Sequence, residues 1–277
     1  MPAFASIWRA ALCAALALAL AAVAASLLVR VPSNERRWAI DQQRLPVAEI
    51  AADSVTLRNI RNFSYRSEYD FAPAYYDRTF SLQDVVDVDY VVEPLASVAA
   101  AHTFLSFGLQ NGERIAISVE IRKEEGEVFN PLLGLVHEYE LMYVVADERD
   151  VVALRVIHRG NPVHAYPTTA TPPQARALLA DMLARLNHIA AEPEFYNTFT
   201  NNCATNIARH VNAIAPRRVP WSWRLLFPRT SDAYAQQLGL IAAGESLESA
   251  RARYLVNDAV RRHADDPGFS RKIREER

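Results

Sequence analysis

Cysteine is nearly absent from this chain: 277 residues carry two, Cys13 and Cys203. Cys13 sits inside an apolar run and reads as an ordinary apolar helix residue. The rest of the chain therefore holds one thiol, which excludes an internal disulfide framework and a paired CxxC metal or redox motif. Glycine and proline, at 8 and 15 residues, are too few and too scattered for a low-complexity or collagen-like protein. Neither sign of charge dominates; the formal net charge is −2 and no Lys/Arg stripe stands out, so nucleic-acid binding lacks electrostatic support. No repeat at solenoid or propeller periods is visible. HExxH, GxSxG and P-loop patterns are missing too, which leaves metal, serine-hydrolase and nucleotide chemistry without a starting point; no cofactor or metal is expected. What is present is 51% hydrophobic content with 22% charged, enough for a full core.

The N-terminus carries one long apolar run. Ala10 to Val29 contains no charge and is closed by Arg9 and Arg30. A helix of that length matches the roughly 30 Å hydrocarbon layer. A cleaved signal peptide would use Ala22-Val23-Ala24 or Ala24-Ala25-Ser26. An uncleaved signal anchor would keep the helix, with Trp8 at the interface. The run continues through Leu27, Leu28 and Val29, past either cleavage point, which favours the anchor. Charge leaves orientation open, because Arg9 is outweighed by Arg30, Arg36 and Arg37. Either way the chain is directed to a membrane.

The organisation expected beyond it is 1–30 signal anchor or signal peptide, 31–56 juxtamembrane linker, 57–230 thiol domain and 231–277 helical extension with a frayed end. Leu57 to Arg66 and Val85 to Val92 read as strands, with Tyr75-Tyr76-Asp77-Arg78 in a packed loop between them. His102–Leu109 and Arg114–Arg122 flank Asn111-Gly112, a two-residue hairpin signal. Tyr139–Ala146 and Val151–His158 read as two more strands around the charged turn Asp147-Glu148-Arg149-Asp150. Thr171-Pro172-Pro173-Gln174 opens a helix that Pro193 ends, and a second helix runs from near Cys203 to Pro216. Strands followed by helices give an α+β class.

Cys203 falls at a helix start, behind Thr200, Asn201 and Asn202 as capping candidates. The unpaired N–H groups and partial positive charge of a first turn favour thiolate and can hold an oxyanion. A side-chain amide of Asn201 or Asn202 can add a donor. A thiolate nucleophile also needs an imidazole. Of seven histidines, His102 stands at the mouth of the clearest hairpin, and Glu120 on the partner strand lies at a similar level to orient it. A two-residue turn, however, places Ile121 opposite His102, so the third residue stays open. His137, His158, His164, His188 and His210 read as surface or packing residues. His210, two turns after Cys203, is roughly 10 Å away along the helix, too far for direct proton transfer.

Four blocks in this order, Ala101-His102-Thr103-Phe104-Leu105-Ser106-Phe107, Ile117-Ser118-Val119-Glu120-Ile121-Arg122, Tyr143 to Asp150, and Phe195 to Cys203, resemble the Lnb N-terminal periplasmic domain family. That family is named for the lipoprotein N-acylation transferase B of some bacteria. The resemblance runs from about Phe63 to Pro220. It implies a circularly permuted papain-like thiol fold, with the His strand and acidic strand ahead of the Cys helix. It also implies a periplasmic domain at the inner membrane, with lipid or lipoprotein as substrate and a Cys thioester as intermediate. The chain departs from the named member in having no set of membrane spans after the domain, which opens the question of substrate. Three readings follow. A thiol acyltransferase or hydrolase on lipid-linked substrates calls for an apolar tunnel. A thiol peptidase or amidase on cell-wall peptide calls for a polar, open cleft. A non-catalytic envelope module calls for a buried Cys203 with no imidazole beside it. Oligomeric state is not legible.

Overall fold

The β-branched and aromatic runs between positions 47 and 167 assemble into one mixed sheet. The computed structural model describes residues 2–95, 100–216, 218–241 and 246–275, and the side chains of 8–9, 11–25 and 29 in the first helix. In chain order the strands are β1 (Val47–Ala51), β2 (Ser54–Arg61), β3 (Ser64–Tyr65), β4 (Phe71–Ala72), β5 (Tyr75–Ser81), β6 (Val85–Pro94), β7 (Ala101–Leu109), β8 (Arg114–Arg122), β9 (Glu140–Asp147) and β10 (His164–Pro167). Their spatial order is β1-β2-β9-β8-β7-β6-β10, with β5 also paired to β2 and β3–β4 forming a small separate sheet. The pairing is antiparallel except for a parallel bridge between Arg61 and Ala146. The class is α+β.

The helices are α1 (Pro2–Val29), α2 (Glu148–Ala153), α3 (Pro172–Ala191), α4 (Cys203–Ile214), α5 (Ser231–Gln237), α6 (Leu247–Arg253), α7 (Asn257–Arg262) and α8 (Phe269–Glu275). Central strands are apolar on both faces because both are covered. On one face Leu178, Leu179 and Met182 of α3 and Ile207 of α4 pack against Leu105, Ile117 and Tyr143. On the other, Val151 and Val152 of α2 and Val260, Phe269 and Ile273 near the C-terminus pack against Phe104, Met142 and Val144. Each fully buried side chain of this kind contributes roughly 1.5–3 kcal/mol.

Several local expectations are revised. Val151–His158 is helical, not a strand: the Asp147 side chain accepts from the Arg149 N–H to cap α2, and a π-helical turn follows over Leu154–His158. Val151, Val152 and Val156 are buried at helical spacing, so packing on the sheet outweighs their strand propensity. Tyr75–Arg78 lies in strand β5, because β2 offers a free edge to pair with. Segment 31–56 is docked rather than loose. Trp38 is buried under the Arg122 guanidinium, 4.1 Å from its ring centroid, and β1 joins the sheet. The C-terminal stretch is likewise packed, and Arg274 pairs with Asp89 at 2.9 Å; the last two residues, 276–277, lie outside the described set.

The N-terminal helix is present as α1, with its apolar side chains at Leu12, Leu16, Leu18 and Leu20 exposed. Among the described residues no helix is long and apolar enough to cross a membrane. The unbroken stretch of α1 with described side chains, 11–25, covers about 22 Å against the roughly 30 Å of hydrocarbon.

Candidate active site

The β7–β8 hairpin sets the geometry, and its loop is one residue longer than Asn-Gly alone implies. Leu109 N–H donates to Glu113 O at 2.9 Å and Gly112 N–H to Leu109 O at 2.9 Å, enclosing Gln110, Asn111 and Gly112. In this turn Gly112 alone has positive φ, +83°, as the last residue of a three-residue loop requires. The extra residue shifts the register by one. Phe104 faces Ser118, and the same register carried two residues on brings His102 opposite Glu120, not Ile121. His102 Nε2 lies 3.6 Å from Glu120 Oε1.

A hydroxyl bridges that gap. Ser118 Oγ is 2.7 Å from His102 Nε2 and donates to Glu120 Oε1 at 2.9 Å. Glu120 also accepts from Arg155 Nη2 at 3.1 Å, and Arg155 Nε donates to buried Glu93 at 2.8 Å. The π-helical turn aims Arg155 into this cluster, with its guanidinium 5.0 Å from the Phe104 ring centroid. Burial disfavours the Glu120 charge, yet His102, Arg155 and Arg61 outweigh it and hold the carboxyl well below the usual carboxylate range.

Cys203 approaches from the opposite side of the sheet. His102 stands beside Phe104, whose cluster contains α2, whereas Cys203 belongs to the cluster of α3 and α4. The two meet where the β7–β8 ladder stops at Phe104↔Ser118, although the strands themselves run on to Ala101 and Arg122. There His102 and Thr103 are the neighbours that favour the charged form of the thiol. Burial pushes the thiol's pKa up, but His102 and then Thr103 outweigh it, so it falls below the ordinary thiol value. Nε2 is committed to Ser118, so Nδ1 is the ring nitrogen that can serve a further partner.

The two asparagines do structural work. Asn202 is the N-cap of α4, accepting from Thr205 N–H at 2.9 Å, and its Nδ2 donates to Thr198 O at 2.7 Å and Leu225 O at 3.3 Å. Asn201 Nδ2 donates to Phe195 O, and its Oδ1 accepts from Asn206. Neither amide is left over for an oxyanion, contrary to the expectation from sequence. The donors that remain are the first-turn amides of Cys203 and Ala204, which no intrahelical carbonyl can accept, and Thr103. The Thr103 hydroxyl is fully buried and, among the described residues, makes no hydrogen bond of good geometry.

Thr103, Ser118 and Arg155 escaped the sequence reading. Ser118 and Glu120 share a strand face at i, i+2, the one signal that could have paired them. His210 is buried, with Nδ1 at 2.6 Å from Asp181 and Nε2 at 2.7 Å from Tyr143 OH. Among the described residues no group of three or more His, Cys, Asp or Glu side chains is arranged to hold a metal ion.

The family model of the Lnb N-terminal periplasmic domain matches residues 71–229, more than half of the chain and all of the residues just described around the thiol except Arg61. The chain belongs to the Lnb N-terminal periplasmic domain family. No curated protein and no solved structure matches it. The Lnb domain match starts in β4 and stops before α5, so α1, β1 to β3 and helices α5 to α8 lie outside it.

Against the same helix α4 runs an apolar cavity of about 340 Å³. Its wall includes Val88, Tyr90, Leu105, Ile207, Val211 and Leu225. Ala204, next to Cys203, lines it as well. Tyr90 also lines the cavity, and burial raises its hydroxyl pKa, with the charge of Cys203 adding to the rise. The same hydroxyl donates to Ser231 Oγ at 2.8 Å.

Proposed function

We propose that this is a membrane-associated periplasmic thiol enzyme that transfers or hydrolyses an acyl group through a Cys203 thioester, with His102 as base and Glu120 as its orienting carboxylate. The observation that supports the reading is an apolar cavity lined by Ala204, next in the chain to a thiol whose charged form His102 favours. Its volume falls in the roughly 300–1,000 Å³ range of small-ligand pockets, and its wall suits an aliphatic chain better than a peptide. The order His strand, acidic strand, Cys helix supports a permuted papain-like arrangement. Membrane anchoring rests on the uncharged run Ala10 to Val29. An acyl chain of a lipoprotein is the substrate class that such a site and family favour.

In the first half-reaction Cys203 Sγ attacks the acyl carbonyl carbon while its proton passes to His102 Nδ1. The carbonyl oxygen takes up negative charge opposite the Cys203 and Ala204 amides and the Thr103 hydroxyl. Collapse breaks the bond to the leaving alcohol or amine, which receives the proton from His102. In the second half an incoming amine or water gives its proton to His102, attacks the thioester carbon and releases the thiolate. The Glu120 carboxylate, through Ser118, steadies the imidazolium present between the steps.

Intact-mass spectrometry tests this. The full chain incubated with a medium-chain acyl thioester should gain one acyl group on Cys203, removable by hydroxylamine, and Cys203→Ala should gain none. If the wild-type thiol reacts with iodoacetamide yet takes no acyl group from donors of any chain length, the proposal fails.

A further inference from the structure

Three elements converge at the end of the sheet that holds Cys203. β7 starts there, β8 ends there and β9 starts there, as the pairings His102↔Glu93 and Arg122↔Glu140 require. The loop leading into β9 exposes Val128 (81%), Phe129, Leu132 (72%) and Leu133. Phe199, four residues before Cys203, is exposed as well.

These side chains belong to one packed unit. Thr198 Oγ1 donates to Pro131 O at 2.7 Å and Thr198 N–H to Gly134 O at 3.3 Å. A Cβ at Gly134 would fall 2.5 Å from Thr198 Oγ1, so the Thr198 side chain packs directly onto this glycine. Asn202 extends the unit by holding Thr198 O and Leu225 O together, beside exposed Trp221 and Trp223.

The root of α1 is fixed to the same unit. Arg30 Nη1 donates to His137 O at 3.1 Å and pairs with Glu138 at 2.6 Å, and Glu138 N–H donates back to Leu133 O at 3.4 Å. The apolar helix therefore leaves the domain from the loop that carries Val128 to Leu133. Val29 and Val31, on either side of Arg30, are exposed there too. Scattered exposed apolar side chains need no explanation, but a cluster at the foot of an apolar helix does.

We infer that loop 128–133, with Phe199, is a bilayer-docking rim that seats the thiol end of the domain on the lipid interface beside α1. The occupant is lipid: the rim is continuous with the only element among the described residues whose apolar side chains are exposed over successive turns, and its aromatic and aliphatic mixture is that of interfacial segments. The inference rests on the membrane-associated reading above, and adds which surface meets the membrane.

Site-directed spin labelling of the full chain in phosphatidylethanolamine–phosphatidylglycerol liposomes tests it. Nitroxides at Val128→Cys and, separately, Leu132→Cys are placed in a chain carrying Cys13→Ser and Cys203→Ser. The reference is Asn111→Cys, at the opposite end of β7, roughly 30 Å away. Labels at 128 and 132 should collide more with oxygen, and less with a water-soluble nickel chelate, than the label at 111. Nickel accessibility equal to that at 111 overturns the rim. So does a label shielded from both probes in a manner that depends on protein concentration, since that marks a protein partner. A chain that co-floats with liposomes while labels 128 and 132 stay in water sinks the rim alone; acyl transfer to Cys203 is read independently.

Discussion

At the scale of single residues, a buried thiolate persists only where nearby charge and donors outweigh its lost hydration. For Cys203 that counterweight is His102 first and Thr103 second. The thiolate is the reactive form, so alkylation slows only as pH falls through the depressed pKa. Iodoacetamide labelling of the full chain, followed at the Cys203 peptide, should therefore show a midpoint below the ordinary thiol value of about 8.5. In His102→Gln the largest opposition to burial is gone, and the midpoint should move upward; an unchanged profile would remove His102 from the site. Glu120→Gln withdraws a charge-assisted partner worth about 1.5–3 kcal/mol, or roughly 10–100-fold in labelling rate at neutral pH. Glu120 also ties stability to acidity. Its folded pKa is depressed, so its contribution is complete above the ordinary carboxylate value and lost as pH drops through the folded one. Denaturant midpoints measured downward from pH 5 should fall less steeply in the Gln variant.

At the scale of elements, the N-cap of α4 joins local structure to the thiol. Asn202→Ala deletes a cap and two further hydrogen bonds, an expected loss of about 2–4 kcal/mol in chemical denaturation. Asn202→Asp keeps the capping oxygen and should fall between; a variant as stable as wild type would mean that Thr205 caps alone. The elements legible from sequence are those whose signals are local. Thr171-Pro172-Pro173-Gln174 opens α3 and Asn202 opens α4, each with a capping box. The elements misread are those decided by neighbours. Val151 to Val156 carries strand-like valines, but the Asp147 cap and the covered sheet face make it helical. Tyr75 to Arg78 becomes a strand only because β2 accepts it. The hairpin was legible as a hairpin; its loop length was not, since Asn111-Gly112 serves two-residue and three-residue loops alike. That single residue decides whether His102 meets Glu120 or Ile121. The thiol, imidazole and carboxylate were thus readable by type and order, whereas Ser118 and Thr103, common strand residues, acquire roles only from the register.

At the scale of the whole molecule, the pieces outside the family-matched region complete the cavity. Ser231, Tyr234, Ala235 and Leu238 of the C-terminal part close its wall against α4. Cavity depth should therefore set chain-length preference. Ala208, on α4 and more than a turn beyond Cys203, is one of the alanines that line the space. Ala208→Phe should keep thioester formation from a two- to four-carbon donor while suppressing that from a long chain, as read by intact mass. Equal loss at all lengths would point to a disturbed thiol rather than a filled cavity.

The burial of Cys203, 7% exposed, has one more consequence. A periplasmic domain works among disulfide-forming catalysts, where an open thiol is soon captured. Here the sulfur is largely enclosed, which shields it from bulky protein thiols. The same enclosure would keep a lone thiol reduced where an open one would be lost to oxidation.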